Sequence, residues 1–122
     1  MLPYVLKIKR NIGMYQFFYY NERVKKEIDT LSPGIYASFA RIRGLMIEHG
    51  PDIGLPHTRP FGEGLFEIRA HGPEGIGRIF YCTISAGRII LLHSFIKKTQ
   101  QTPDKELKKA GKRLREVKNA WR

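Results

Sequence analysis

GLFEIRAHGPEGIGRIFYCTISAGRIILLHSFIKKTQ, residues 64–100, decides the fold. Apolar runs rich in Ile, Phe and Tyr are broken by Gly-Pro-Glu-Gly at 72–75 and by Ser-Ala-Gly at 85–87, so the stretch reads as three successive strands joined by two tight turns. In the first strand Glu67, Arg69 and His71 alternate with Phe66, Ile68 and Ala70, which makes one face polar and the other a packing face. The second, Ile76 to Ile84, is apolar on both faces apart from Arg78, as expected at the centre of a sheet. An arginine there is either a structural partner of Glu67 or a catalytic cation near the strand mouth, and spacing leaves both open. The third strand, Arg88 to Ile96, is almost wholly apolar and carries His93, read either as a hydrogen-bonded core histidine or as a catalytic one. Arg69, Arg78, Lys97 and Lys98 recur within and after these strands, so several like charges can converge on one patch. Such a patch would bind polyanions.

Working outward, Met14–Tyr20 (MYQFFYY) has the aromatic density of a buried strand, and Asn21 offers an N-cap to a helix. Val24, Ile28 and Leu31 then repeat at helical spacing on a short amphipathic helix. Ser32-Pro33 is an N-cap and first-turn pair for a second helix, with Ile35, Phe39, Ile42 and Met46 on one stripe and Gly50-Pro51 as its stop. Two helices with almost no loop between them form an antiparallel hairpin whose apolar stripe needs a sheet. Residues 50–64, GPDIGLPHTRPFGEG, read as a surface loop, in which His57 and Arg59 are either RNA contacts or solvated loop residues. Thr102-Pro103 opens a last helix, where Leu107, Ala110, Leu114 and Val117 make a narrow stripe opposite a strongly basic remainder. Residues 1–13 are a basic N-terminal extension to a single domain over 14–122. The expected architecture is α+β: a small, mostly antiparallel sheet of about four strands, backed by a two-helix hairpin and followed by a C-terminal helix.

The chain of 122 residues is long enough for one core without staples, which domains above roughly 80 residues rarely need. Lys and Arg number 22 against 11 Asp and Glu, a formal charge of +11 that favours nucleic acid or another polyanion as partner. A single cysteine, Cys82, allows no intrachain disulfide and fits a reducing compartment. No apolar run reaches the roughly 18 residues of a membrane span, and we read the chain as soluble and cytoplasmic, without a leader. Histidines at 49, 57, 71 and 93 and the lone cysteine lack zinc-like spacing, so neither a metal nor another cofactor is expected. A glycine-rich phosphate loop, a serine elbow and a helix-turn-helix are likewise missing from the pattern.

In order, EHGPDIGLPHTRPFGEGLFEIR, GRIFY and IILLHSFIKKTQQTP resemble the RelE/ParE toxin superfamily, and more closely its phage-derived HigB-like branch. The resemblance spans about Met14 to Val117. It implies a RelE-like fold and the toxin of a type II toxin–antitoxin module, a metal-independent endoribonuclease that cuts mRNA on the ribosome and inhibits translation. It also implies a cognate antitoxin, HigA-like with a helix-turn-helix domain, through which alone the pair would meet operator DNA. Carried over by position, the family's strand cations match Arg69 and Arg78, and its basic pair after the last strand matches Lys97 and Lys98. These four are the expected catalytic group, with His57, Arg59, His71, His93 and Gln100 as RNA contacts. The family's terminal tyrosine or histidine has no counterpart here, since after Gln100 the only aromatic is Trp121. On this reading Arg78→Ala leaves folding intact and abolishes growth inhibition. Two other classes fit the same sequence: a ParE-like toxin that blocks DNA gyrase without chemistry, and a non-toxic basic RNA-binding domain.

Overall fold

The computed structural model describes residues 4–5, 15–85, 87–97 and 102–120. Chain order is β1 (Tyr4–Val5), β2 (Gln16–Tyr19), α1 (Glu22–Asp29), α2 (Pro33–His49), β3 (Thr58–Gly62), β4 (Leu65–Gly72), β5 (Gly75–Ile84), β6 (Arg88–Lys97) and α3 (Asp104–Ala120). The strands form one sheet in the order β1-β2-β6-β5-β4-β3. Every neighbouring pair is antiparallel except β2 and β6, which run parallel. The α+β class, the two successive helices and the closing helix agree with the sequence reading.

The described residues form six strands where about four were expected. Residues 58–62 lie inside the segment read as loop, yet they pair antiparallel with β4 from Thr58↔Ile68 to Gly62↔Leu65. The proline that argues against a strand is tolerated because β3 is the last strand of the sheet, where a missing N–H need cost no ladder bond. The chain leading into it is pinned by side chains: the Gly54 amide donates to Thr58 Oγ1 at 2.8 Å, and the Tyr81 hydroxyl donates to the Pro51 carbonyl. At the other edge Tyr4–Val5 pairs with Phe18–Tyr19. That strand falls within the segment read as an extension, whose remaining residues lie outside the described ones.

The helix ends follow local chemistry. Asn21 accepts the Val24 amide at 2.9 Å and so caps α1, and Gly50, at φ 106°, ends α2. One sheet face is covered by α1 against β2 and β6 and by α2 against β4 and β5. Phe17, Tyr19, Val24, Ile28, Ile35, Phe39, Ile42, Met46, Ile68, Ile79, Tyr81, Ile89 and Leu91 fill that core. The first turn of α2 sits close on the β4–β5 hairpin because Gly72 and Gly77 carry no side chain; a Cβ on Gly72 would lie 2.7 Å from the Ile35 amide nitrogen.

The opposite face is covered by α3 over part of its length. Ala110, Leu114 and Val117 pack on Phe18, Leu65, Phe80, Cys82, Ile90 and Leu92. A register shift in the β5–β6 ladder falls at Phe80/Tyr81, leaving Leu92 between the paired His93 and Leu91. Arg113 of α3 donates to the Leu92 carbonyl at 2.7 Å and lies over the Tyr20 ring. Lys118 donates to the Glu63 carbonyl at 3.0 Å, and Tyr20 donates to Glu116 at 2.5 Å. Cys82 lies beneath this helix, its thiol pushed up to about 12 by burial. Among the described residues no helix is long and apolar enough to cross a membrane.

Candidate nucleic-acid interface

Residues paired across adjacent strands share a sheet face, so the registers lay out the α3 side of the sheet in rows. Nearest α3, Arg59, Glu67, Phe80 and His93 stand in line across β3, β4, β5 and β6. The next row is Arg69, Arg78 and Phe95, and beyond it come His71, Ile76 and Lys97. Four adjacent strands thereby bring Arg59, Arg69, Arg78 and Lys97 together on one face.

Arg78 is the floor of this cluster. Its guanidinium is 2.7 Å from Glu67, with 2% and 0% of the two side chains exposed, so of the two sequence readings of Arg78 the pairing with Glu67 is present. The geometry is incomplete in an informative way: Glu67 Oε2, Arg78 Nε and Arg69 Nε are buried without a hydrogen-bond partner. One carboxylate faces four cations. Burial and then the neighbouring Arg78 lower the Arg69 pKa, Glu67 opposing. Lys97 is lowered for the same reasons, burial first, then Arg78, with Arg59 and Arg69 adding to it. The Lys97 ammonium therefore gives up its proton more easily than an ordinary lysine.

His93 is held differently. It is 6% exposed, with Nε2 2.5 Å from Glu106 of α3, so it ties the helix to the sheet as the core-histidine reading expects. Burial lowers its pKa although the Glu106 hydrogen bond pulls the other way. Nε2 faces Glu106 and Nδ1 is buried without a partner, an arrangement that suits the tautomer with its proton on Nε2. His71 is exposed at the outer end of β4. His57 accepts the Arg69 amide at 2.8 Å through its backbone carbonyl, which extends the β3–β4 pairing by one residue. Lys98 and Gln100 lie outside the described residues.

Two features escaped the sequence reading. Arg59 belongs to a strand of the site rather than to a loop, and its guanidinium lies 4.6 Å from the centre of the Phe61 ring. Phe95 stands half-buried beside the cations, where the apolar run of β6 marked it only as core. Alternation counted from Lys97 would have found it. Among the described residues no group of three or more His, Cys, Asp or Glu side chains could hold a metal ion.

Fold and patch define a small basic α+β protein with a cation-lined sheet face beside its last helix. Residues 26–115 match the family described as Phage derived protein Gp49-like (DUF891), and the chain belongs to that family. The match contains every residue of the three rows. No curated protein matches the chain.

Proposed function

We propose that this protein is the toxin of a type II toxin–antitoxin pair, related to RelE and HigB, and that it acts in the cytoplasm as a metal-independent endoribonuclease on mRNA at the ribosome. The carrying observation is the convergence of Arg59, Arg69, Arg78 and Lys97 on one sheet face around the Glu67 carboxylate. The phage-derived family and the formal charge of +11 support the same reading.

Cleavage without a metal uses the ribose 2′-hydroxyl as nucleophile on the adjacent phosphorus. A P–O bond forms to the 2′-oxygen, the bond to the 5′-oxygen breaks, and a 2′,3′-cyclic phosphate results. Charge grows on the non-bridging oxygens, which Arg69 meets with a fork of N–H donors while buried Arg78 supplies a fixed positive field from below. Lys97, with its lowered pKa, takes the 2′-hydroxyl proton. His71, exposed at the rim, stands in the same row as Lys97 as an RNA contact, and the leaving 5′-oxygen takes its proton from solvent water. An antitoxin, HigA-like and with its own helix-turn-helix domain, would lay an acidic segment over the patch and exclude RNA.

The test adds purified protein to a translating extract and maps mRNA ends by primer extension. New cleavage ends that vanish with Arg69→Ala and Lys97→Ala support the proposal. Intact mRNA overturns it, and if DNA supercoiling is inhibited instead, the protein is a gyrase blocker.

A further inference from the structure

Beside the cations the sheet carries a group of aromatic rings. His93 and Phe95 have ring centres 6.0 Å apart at 20°, Phe80 and Phe95 lie 5.8 Å apart at 25°, and Phe61 meets Phe80 edge-on at 5.3 Å. Phe80 and His93 are buried under α3, whereas Phe95, one row further out, is half-buried. The nearly parallel rings thus end at Phe95, on the side where Arg69, Arg78 and Lys97 begin.

We propose that Phe95 is the stacking floor for one unpaired nucleobase, so that this face takes single-stranded RNA and rejects duplex. The proposal rests on the nuclease reading for the identity of the polyanion. An aromatic ring left partly open beside guanidinium groups offers a flat apolar surface next to phosphate-binding charge, and nucleotides supply both partners at once. Alternate residues of a strand are about 6.7 Å apart, so a base on Phe95 leaves its own phosphate within reach of Lys97 on β6 or Arg69 two strands away. A base paired inside a duplex cannot lie on that ring without leaving its helix. Stacking reads no base edge, so the subsite selects strandedness rather than sequence.

Binding of a short labelled single-stranded RNA, the same strand annealed to its complement, and polyphosphate is measured by anisotropy at fixed salt on the full chain. Phe95→Leu is expected to weaken single-strand binding roughly 5- to 50-fold, to leave duplex and polyphosphate binding unchanged, and to be rescued by Phe95→Trp. Equal binding by Phe95→Leu and the parent, or equal losses for all three ligands, overturns the proposal. Should Phe95→Leu fail to fold, Phe95→Trp in a Trp121→Phe background decides: indole emission quenched by single-stranded RNA but not by polyphosphate upholds the floor, and unchanged emission removes it. Cleavage assayed in parallel separates the two readings. Phe95-dependent binding with intact mRNA removes only the nuclease, and cleavage with Phe95-independent binding removes only the floor.

Discussion

The Glu67 carboxylate lies 2.7 Å from the Arg78 guanidinium, beneath Arg59, Arg69 and Lys97, whose charge it cannot neutralise alone. Losing one partner of a buried pair strands the other, a cost of about 3–5 kcal/mol. Arg78→Ala is therefore expected to lower the urea midpoint strongly, in contrast to the fold-neutral outcome that the sequence alone led us to expect. An unchanged midpoint would mean that the pair does not hold the sheet. Loss of toxicity in that variant says nothing about chemistry, so Arg69 and Lys97 are the informative positions.

His93 gives stability a pH dependence. Burial holds its pKa below the ordinary 6.5, so as pH falls through 6.5 the unfolded chain binds a proton that the folded chain does not. Its contribution is complete above pH 6.5 and shrinks as pH falls toward the folded-state value. Melting temperature should fall between pH 7.5 and 5.5, and His93→Gln should flatten that part of the profile. Glu106 faces the ring, with Arg113 and Lys109 close by, so Glu106→Gln should lower the histidine pKa further.

The α+β class, the Asn21 cap of α1 and the three strands of residues 64–97 were legible because turns at 72–75 and 85–87 and the alternation of β4 are local signals, whereas the Ser32 and Thr102 hydroxyls, read as caps of α2 and α3, are buried without a hydrogen-bond partner. β3 was not, because its stability comes from pairing with β4 and from the Thr58 and Tyr81 hydrogen bonds, while Pro60 and the flanking glycines argue locally for a loop. The same error left Arg59, already named as an RNA contact, on a loop, and its place opposite Glu67 appears only once β3 is a strand. Arg69, Arg78 and Lys97 were recognisable by type, but their convergence depends on a register that no single strand encodes. Phe95 was hidden among its apolar neighbours.

Gly72 and Gly44 should respond oppositely to alanine. A Cβ on Gly72 would meet the Ile35 amide nitrogen at 2.7 Å and the Gly34 carbonyl carbon at 2.8 Å, both backbone atoms that cannot rotate away. Gly72→Ala should destabilise by about 1–3 kcal/mol through overpacking. Gly44 is exposed in the middle of α2 with nothing within 4 Å of its added carbon, so Gly44→Ala should stabilise by about 0.5–1 kcal/mol. Urea titration of both variants checks the pair, and a tolerated Gly72→Ala would show that α2 can lift from the hairpin.

Under the proposed nuclease function, Lys97 sets the expected pH profile of cleavage. A base must be neutral to accept the 2′-hydroxyl proton, so the rate should rise with pH and level off below the 10.5 of an ordinary lysine, because burial and the nearby guanidinium groups disfavour its charged form. Arg69→Gln removes one of the charges that lower this pKa, so among whatever activity remains the rising limb should shift to higher pH. Lys97→Arg keeps a cation for phosphate but offers no neutral amine, so RNA binding should persist while the rate drops by roughly 10²-fold or more, the loss expected for a general base. Initial rates on a single-stranded substrate across alkaline pH measure all three chains. A profile that Lys97→Arg leaves untouched would assign the proton transfer to another group.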